Sequence, residues 1–268
     1  MKIKRIVIFL LAFAITIIAY SPIVSHASLM KLSTDRLRYG VVGVNNTLSD
    51  NKRIRIEVHA TASDKTYYVP YYRGDEFIDI PLMFGNGEYT ISLYSGLYDN
   101  YYEFIEAKTV YLNMGDYDNI YLSSSVFVPW SDAKTATKKA DELAAGKNGD
   151  YRKFYAIYDF VTQNVKYDFS KIDMKRSRSS PDETLACGSG TCMDFSVLLA
   201  AMLRCSGYKC KLVYGYKNGD RVYHSWNEVY LGDKWVTVDP TADAQYYECG
   251  IPFSYFKAAG DYVPDVAF

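Results

Sequence analysis

Three residues in the second half of the chain have side chains that together could carry out nucleophilic acyl transfer. Cys192 lies near the start of the apolar stretch GTCMDFSVLLAAML, His224 lies in RVYHSWNEVY, and Asp239 is the aspartate of KWVTVDP. A cysteine nucleophile needs a base that takes its proton, and the base needs a third group that orients its ring. The sequence therefore predicts a catalytic triad in which Cys192 is the nucleophile, His224 the base and Asp239 the orienting residue.

Each of these residues also has a purely structural explanation. A lone cysteine is often part of a hydrophobic core or of a disulfide. A strand histidine often bonds to a neighbour, and an aspartate before a proline often closes a turn. The combination of the three favours catalysis. A zinc site is less well supported, because one histidine with scattered cysteines lacks the paired ligand spacing of structural zinc.

The elements that must position these side chains can be predicted from local signals. Thr191 with Asp194 three residues later resembles a capping box, so a helix is predicted to begin at Cys192. The N-terminus of a helix favours a thiolate, and its free N–H groups can bind an oxyanion. The residues after Cys192 are apolar on nearly every side, so we expect this helix to be buried.

The other two residues lie on a predicted β-hairpin. Two β-rich runs flank the turn signal LGDK, which places the turn at Gly232-Asp233. In the register that this turn sets, Trp226 pairs with Asp239, and His224 lies on the same face one step away. Asp239 is thus predicted to reach the imidazole ring.

The beginning of the chain resembles a secretory leader. Lys2, Lys4 and Arg5 precede an apolar run from Ile6 to Tyr20, and the small residues of Ser25-His26-Ala27 suit a signal peptidase. The apolar run is shorter than the roughly 20 residues of a spanning helix. We expect residues 1–27 to be a cleaved signal peptide and the protein to be secreted or displayed on the cell surface. The alternative is an uncleaved anchor, the one way in which a membrane would be a partner.

Five cysteines follow the leader, and export would bring them into an oxidising compartment. An odd number leaves at least one thiol unpaired. Cys205 with Cys210 and Cys187 with Cys249 are candidate disulfides that leave Cys192 free, but other pairings stay open. A redox function would need a C-x-x-C pair, which the sequence lacks.

Two halves of different composition indicate two domains. Residues 28–128 contain short β-rich runs such as RIRIEV and GEYTISLY, which predict an all-β immunoglobulin-like sandwich. We expect His59, in one of these strands, to have a structural or surface role. Residues 129–268 are the predicted catalytic domain. Its first helix is predicted in SDAKTATKKADELAAG, with Ser131 or Asp132 as the cap.

Charge and composition indicate which kinds of molecule the protein could bind. The formal net charge of −1 gives no basis for binding nucleic acid. The 27 tyrosines favour β-structure and contact surfaces. The segment KIDMKRSRSSPDET reads as a solvated loop or as a basic rim that selects acidic substrates.

The motifs of the second half resemble the transglutaminase-like superfamily, relatives of the papain-type cysteine proteases, and in particular its exported bacterial members. The resemblance covers about residues 132–245 and rests on YAIYDFVTQNVKYD, GSGTCMDFSVLLAAML and YHSWNEVYLGDKWVTVDPT. It implies an α+β fold with a papain-like transglutaminase core. By position, it also implies Cys192 as nucleophile, His224 as general base and acid, and Asp239 as orienting residue.

The expected function is cysteine-dependent acyl transfer on amide bonds through a thioester. The substrate would be a protein or peptide, including one associated with the cell wall, and the outcome would be transamidation, deamidation or peptide hydrolysis. This chemistry needs no cofactor, and no calcium-binding loop spacing is present. The region from Gln163 to Tyr167 is a candidate source of a second oxyanion donor. The alternative function is a non-catalytic cell-surface binding or adhesion protein with a degenerate transglutaminase-like fold.

Overall fold

The computed structural model describes residues 28–48, 53–71, 76–172 and 179–268. The predicted signal peptide and residues 173–178 of the basic loop lie outside these ranges. The described chain is a mixed α/β structure with two antiparallel sheets in its first half and a helix-and-sheet arrangement in its second.

The first half folds into a three-stranded sheet of order β1-β2-β5 and a four-stranded sheet of order β4-β3-β6-β7. Alternation along β3 explains its position, because Ile54, Ile56 and Val58 are buried while the residues between them are partly exposed. The β-rich prediction agrees with these strands, whereas the immunoglobulin-like sandwich and the domain boundaries stay predictions. The strands are β1 Met30–Ser33, β2 Val41–Asn46, β3 Ile54–Ala60, β4 Lys65–Tyr71, β5 Ile78–Pro81, β6 Gly87–Gly96 and β7 Tyr102–Leu112.

The described part of the second half contains five α-helices, an antiparallel sheet of order β12-β11-β10-β13 and a two-stranded parallel β8-β9 pair. The helices are α1 Lys134–Ala144, α2 Asp150–Asn164, α3 Pro181–Cys187, α4 Cys192–Cys205 and α5 Pro240–Glu248. The strands are β8 Lys166–Tyr167, β9 Ser189–Gly190, β10 Cys210–Lys217, β11 Tyr223–Tyr230, β12 Trp235–Val238 and β13 Tyr262–Ala267. Short 3-10 helices occupy Leu37–Tyr39, Tyr117–Leu122, Phe169–Lys171 and Ala259–Asp261.

Helix α4 is the central element of the second half. Its residues from Asp194 to Arg204 are all buried, which agrees with the apolar pattern of the sequence. The helix packs on one face of the sheet, where the Asn227 side-chain amide donates to the Ser196 carbonyl over 3.0 Å. Trp226, the neighbour of Asn227, therefore points to the opposite face, where it forms a small cluster with Val213 and Tyr262.

The cap of α1 differs from the sequence prediction. Neither Ser131 nor Asp132 caps the helix, which begins after Ala133 without a side-chain cap of its own. The carboxylate of Asp182, from the start of α3, accepts the backbone N–H groups of Thr135 and Ala136 over 3.1 and 2.7 Å. A residue distant in sequence thus satisfies the free N–H groups and places a negative charge at the helix N-terminus.

A buried arginine ties α4 to three other parts of the chain. Arg204 is 3% exposed, and its guanidinium donates to the carbonyls of Cys210, Ser123 and Phe268 over 2.8, 2.8 and 2.7 Å. Burial lowers its pKa to about 10. These bonds connect the end of α4 with β10, with the first half of the chain and with the segment after β13. One hydrophobic core likewise contains residues of both halves.

No helix within the described ranges is long and apolar enough to cross a membrane.

Replacing Arg204 with methionine is expected to lower the free energy of unfolding by about 3 to 5 kcal/mol, because three buried carbonyls lose a charged donor. Urea denaturation checks this value. The control is Lys138→Met, which removes an exposed charge from α1. A loss no larger than that of the control would contradict the role of Arg204.

Candidate active site

Cys192 begins α4 as the sequence predicts. The carboxylate of Asp194 accepts the backbone N–H of Thr191 over 2.8 Å and its hydroxyl over 3.1 Å. The other carboxylate oxygen accepts the backbone N–H of Ser179 over 3.1 Å. Asp194 is buried, so these bonds fix the turn that leads into the helix and with it the position of the Cys192 backbone.

The glycine two residues before the cysteine has a steric explanation. A Cβ atom at Gly190 would lie 2.5 Å from the Cβ atom of Asp194. Any side chain at this position would push the chain away from the capping carboxylate. The close approach at Gly190 therefore allows Asp194 to hold the start of α4.

His224 and Asp239 meet through the predicted hairpin. The Leu231 N–H donates to the Lys234 carbonyl over 2.9 Å, and both residues of the Gly232-Asp233 turn have positive φ, as a type I′ turn requires. The β11-β12 register, continued by one residue, places Asp239 opposite Trp226. Nε2 of His224 lies 2.9 Å from Oδ2 of Asp239.

Asp239 is fully buried and held by three hydrogen-bond donors. Besides His224, the Ala242 backbone N–H donates to Oδ1 over 3.0 Å, and the Tyr262 hydroxyl donates to Oδ2 over 2.9 Å. Burial alone would raise the pKa of this carboxyl group. The hydrogen bond and charge of His224, aided by Ala242 and Tyr262, outweigh burial and hold the pKa below its usual range. Asp239 is therefore an anion at neutral pH.

The Cys192 thiol interacts with the same imidazole. Burial would raise the pKa of Cys192, but hydrogen bonding and charge interaction with His224, with smaller contributions from Ser225, lower it. Burial would likewise lower the pKa of His224, yet the hydrogen bonds and charges of Asp239 and Cys192 raise it to about 9. Because Nε2 contacts Asp239, Nδ1 is the nitrogen left for the sulfur. The arrangement stabilises a thiolate beside an imidazolium.

Tyr167 is the member of the predicted oxyanion region that lies beside the cysteine. It is paired with Gly190 in the parallel β8-β9 ladder. Burial and the negative charges of Cys192 and Asp194 raise the pKa of its phenol, which therefore stays protonated and can donate. Gln163, at the other end of the predicted region, is exposed on α2.

A second buried carboxylate lies one turn beyond Asp239 on α5. Asp243 accepts the Tyr158 hydroxyl over 2.6 Å and forms an ion pair with Lys257. Burial raises its pKa in spite of these partners. Sequence reasoning missed Tyr262, Asp243 and Lys257, since none lies in a local motif that points to the triad.

The predicted disulfides are corrected by the structure, in which all five cysteines are free. Cys205 points back along α4, where its thiol donates to the Met202 carbonyl over 3.1 Å. Cys210 is fully buried in β10. Burial raises the pKa values of these two thiols to about 11 and about 12. Cys187 and Cys249, the other predicted pair, are both exposed thiols.

His59 lies away from the site, on a strand of the first half. Its Nδ1 is 3.0 Å from the Thr66 hydroxyl, and its ring is near Asp64 at the surface. These contacts agree with the structural or surface role expected for it.

Comparison with known families supports the resemblance seen in the sequence. Residues 137–240 match the model of the transglutaminase-like superfamily, so the chain contains a transglutaminase-like domain. That segment includes Cys192, His224 and Asp239. It ends before β13.

Individual relatives are distant. The human kyphoscoliosis peptidase is 28% identical over 122 residues, which are 40% of this chain and 18% of that protein. The curated relatives are matched over 17 to 22% of their own length. Among solved structures, a candidate cysteine protease of Cytophaga hutchinsonii shares 15% identity with a TM-score of 0.45, covering 82% of both chains. The periplasmic domain of TgpA from Pseudomonas aeruginosa shares 14% identity with a TM-score of 0.40, covering 81% of this chain and 96% of that one.

Alkylation by iodoacetamide should distinguish an activated Cys192 from the other thiols. We expect rapid labelling of Cys192 below neutral pH, because its pKa is lowered, with a decline as acid protonates the thiolate. Exposed Cys187 and Cys249 are internal comparisons. Peptide mapping across pH 5 to 8 measures the rates, and His224→Ala should slow Cys192 by about tenfold or more.

Labelling of Cys192 at the rate of Cys187 and Cys249, or a rate unchanged by His224→Ala, would contradict an activated thiolate.

Proposed function

We propose that this protein is an exported cysteine-dependent acyl-transfer enzyme that acts on amide bonds of proteins or peptides. The observation that carries the proposal is the 2.9 Å contact between His224 and the buried Asp239, on a ring that also interacts with Cys192 at a helix N-terminus. A structural histidine would need neither a buried carboxylate nor a neighbouring thiol. The transglutaminase-like family match supports the same chemistry.

Acylation begins with the thiolate and imidazolium already formed. The Cys192 sulfur attacks the amide carbonyl carbon, and the C=O π electrons move to oxygen to give a tetrahedral oxyanion. When this intermediate collapses, the C–N bond breaks and His224 donates its Nδ1 proton to the departing nitrogen. The products are an amine, or ammonia from a glutamine side chain, and a thioester on Cys192. Asp239 stabilises the imidazolium until the proton is transferred.

Deacylation reverses the proton movements. Neutral His224 takes a proton from water or from a primary amine as that nucleophile attacks the thioester carbonyl, and the C–S bond breaks to restore the thiolate–imidazolium pair. Water gives deamidation or hydrolysis, and an amine gives transamidation. Hydrolysis of peptide bonds is supported by the name of the human relative, a peptidase.

We assign two donors to the oxyanion. The first is the backbone N–H of Cys192 at the free N-terminus of α4. We assign the second to the Tyr167 hydroxyl, because β8-β9 pairing brings this residue beside the turn that leads to Cys192 and its phenol stays protonated.

The surface around the site suits a polypeptide substrate. Phe169, which packs edge-on against Tyr167, is 73% exposed. Val222, just before the strand that carries His224, is 70% exposed. Exposed apolar side chains on the segments that adjoin the site residues favour contact with a peptide segment over contact with a small polar metabolite. The leader-like segment supports export, which would bring the enzyme to extracellular or cell-wall proteins.

Turnover should depend on Cys192. With β-casein as substrate and a fluorescent primary amine present, we expect amine incorporation, ammonia release or new peptide N-termini, measured by fluorescence, a coupled ammonia assay and mass spectrometry. Cys192→Ala should reduce the rate by at least about a thousandfold, because the attacking sulfur is lost.

The control is Cys187→Ala, which removes an exposed thiol and should leave the rate unchanged. If Cys192→Ala turns over the substrate as fast as the parent protein, the proposal of a cysteine-dependent enzyme is wrong. Retained binding of a protein partner, with no turnover by either form, would favour the non-catalytic binding protein instead.

Tyr167→Phe tests the second oxyanion donor. We expect kcat to fall by about a hundredfold with KM unchanged, because the hydroxyl acts on the intermediate and not on the bound substrate. Alkylation of Cys192 should keep its rate, since displacement of iodide forms no oxyanion. Tyr230→Phe, at an exposed hydroxyl on β11, is the control. A slower alkylation with kcat unaffected would instead point to a structural role for Tyr167.

A further inference from the structure

The strand β13 lies beyond the segment that matches the family model, yet it contributes a side chain to the site. The family match ends at residue 240, and β13 begins at Tyr262. The strand adds to the edge of the sheet by antiparallel pairing with β10, with Tyr262 opposite Lys217. A hydroxyl from outside the family core thus reaches Asp239.

The contact between Tyr262 and Asp239 restricts the carboxylate directly. The Tyr262 hydroxyl and Nε2 of His224 both lie 2.9 Å from the same oxygen, Oδ2. The Ala242 N–H donates to Oδ1. Donors on both oxygens fix the plane of the carboxylate. Without the hydroxyl, His224 would be the one donor to Oδ2 left among the described residues.

Tyr262 is itself held firmly by packing. It is 7% exposed, and its ring lies 5.0 Å from that of Trp226, centroid to centroid. The close approach of β13 to β10 depends on Gly215, where a Cβ atom would lie 2.1 Å from the Val263 carbonyl oxygen. The register shifts at this point. Tyr262 therefore reaches Asp239 from a fixed position.

We propose that Tyr262 is a positioning residue of the active site, whose hydroxyl orients the Asp239 carboxylate toward His224. This inference rests on the proposed function. Strand β13 then contributes to catalysis through its contact with Asp239.

Several charged and titratable groups surround this contact. On the triad side the Cys192 thiol faces His224 from α4. From α5 and α2, Asp243 and Tyr158 lie close enough to act on Asp239 and Tyr262, and Lys257 offsets the charge of Asp243. At the strand itself, the Asp261 carboxylate acts on Tyr262 and the Lys217 ammonium lies over its ring. Tyr262→Phe leaves every one of these groups in place.

Removing the Tyr262 hydroxyl should change the pKa values of the triad residues in a definite direction. The hydrogen bond from Tyr262 helps to lower the pKa of Asp239, so its loss raises that pKa. A carboxylate that Tyr262 no longer holds can turn away from His224, which weakens the contact that raises the pKa of His224. The Cys192 thiolate then loses part of the positive charge that lowers its own pKa. The acid limb of thiolate reactivity should move to higher pH.

The test is the rate of Cys192 alkylation by iodoacetamide between pH 5 and 8 in the full chain carrying Tyr262→Phe. We expect a fall of about tenfold at pH 6 and a shift of the acid limb to higher pH, because one hydrogen bond to a buried charge is lost. Tyr216→Phe, at a tyrosine of β10 that is 43% exposed, is the matched control and should not change the profile. Near-UV circular dichroism verifies the packing of each variant.

A double-mutant cycle separates positioning from a general structural effect. In a His224→Ala background, Tyr262→Phe should have no further effect on Cys192, since the hydroxyl acts only through Asp239 and His224. An equal loss in both backgrounds would overturn the proposal, as would a pH profile identical to the parent. If Cys192 of the parent protein is itself no more reactive than Cys187, the result contradicts the proposed function and not only the role of Tyr262.

Discussion

The contact between His224 and the buried Asp239 carboxylate is the interaction on which the rest of the site depends. An ionised carboxylate without solvent is costly unless donors surround it. The donors come from three elements: the ring from β11, the Ala242 N–H from the first turn of α5, and the Tyr262 hydroxyl from β13. The hairpin register, the start of α5 and the C-terminal strand must therefore all form before the charge is satisfied.

The thiol reaches the imidazole from a helix that is fixed at both ends. Asp194 holds the first turn of α4 through backbone N–H groups, and Arg204 ties the last turn to carbonyls in three other segments. The full burial of the helix between them leaves little freedom to slide. Cys192 and His224 are thus placed by rigid elements, so neither side chain needs to be ordered again when substrate binds.

The parts of the site that could be predicted from the sequence depend on short-range geometry. A cap between two residues three positions apart placed Cys192 at the start of α4, and a two-residue turn set the register that brings Asp239 to His224. The parts that could not be predicted depend on contacts between distant segments. Tyr262 is 23 residues from Asp239, and Asp182 caps α1 from more than 40 residues away. The disulfides predicted from cysteine spacing were wrong for the same reason, because the direction of each side chain decides which thiols can meet.

The same turn of α5 that holds Asp239 also brings a second carboxylate close to it, and the two must not compete for His224. Asp243 is neutralised by Lys257 and bonded by Tyr158, and its pKa is raised while that of Asp239 is lowered. Burial dominates at Asp243, whereas the contact with His224 outweighs burial at Asp239, and such a difference in environment assigns different roles to paired carboxyl groups. The negative charge that acts on the imidazole comes from Asp239, and the lysine prevents the second acid from adding an unpaired charge beside it.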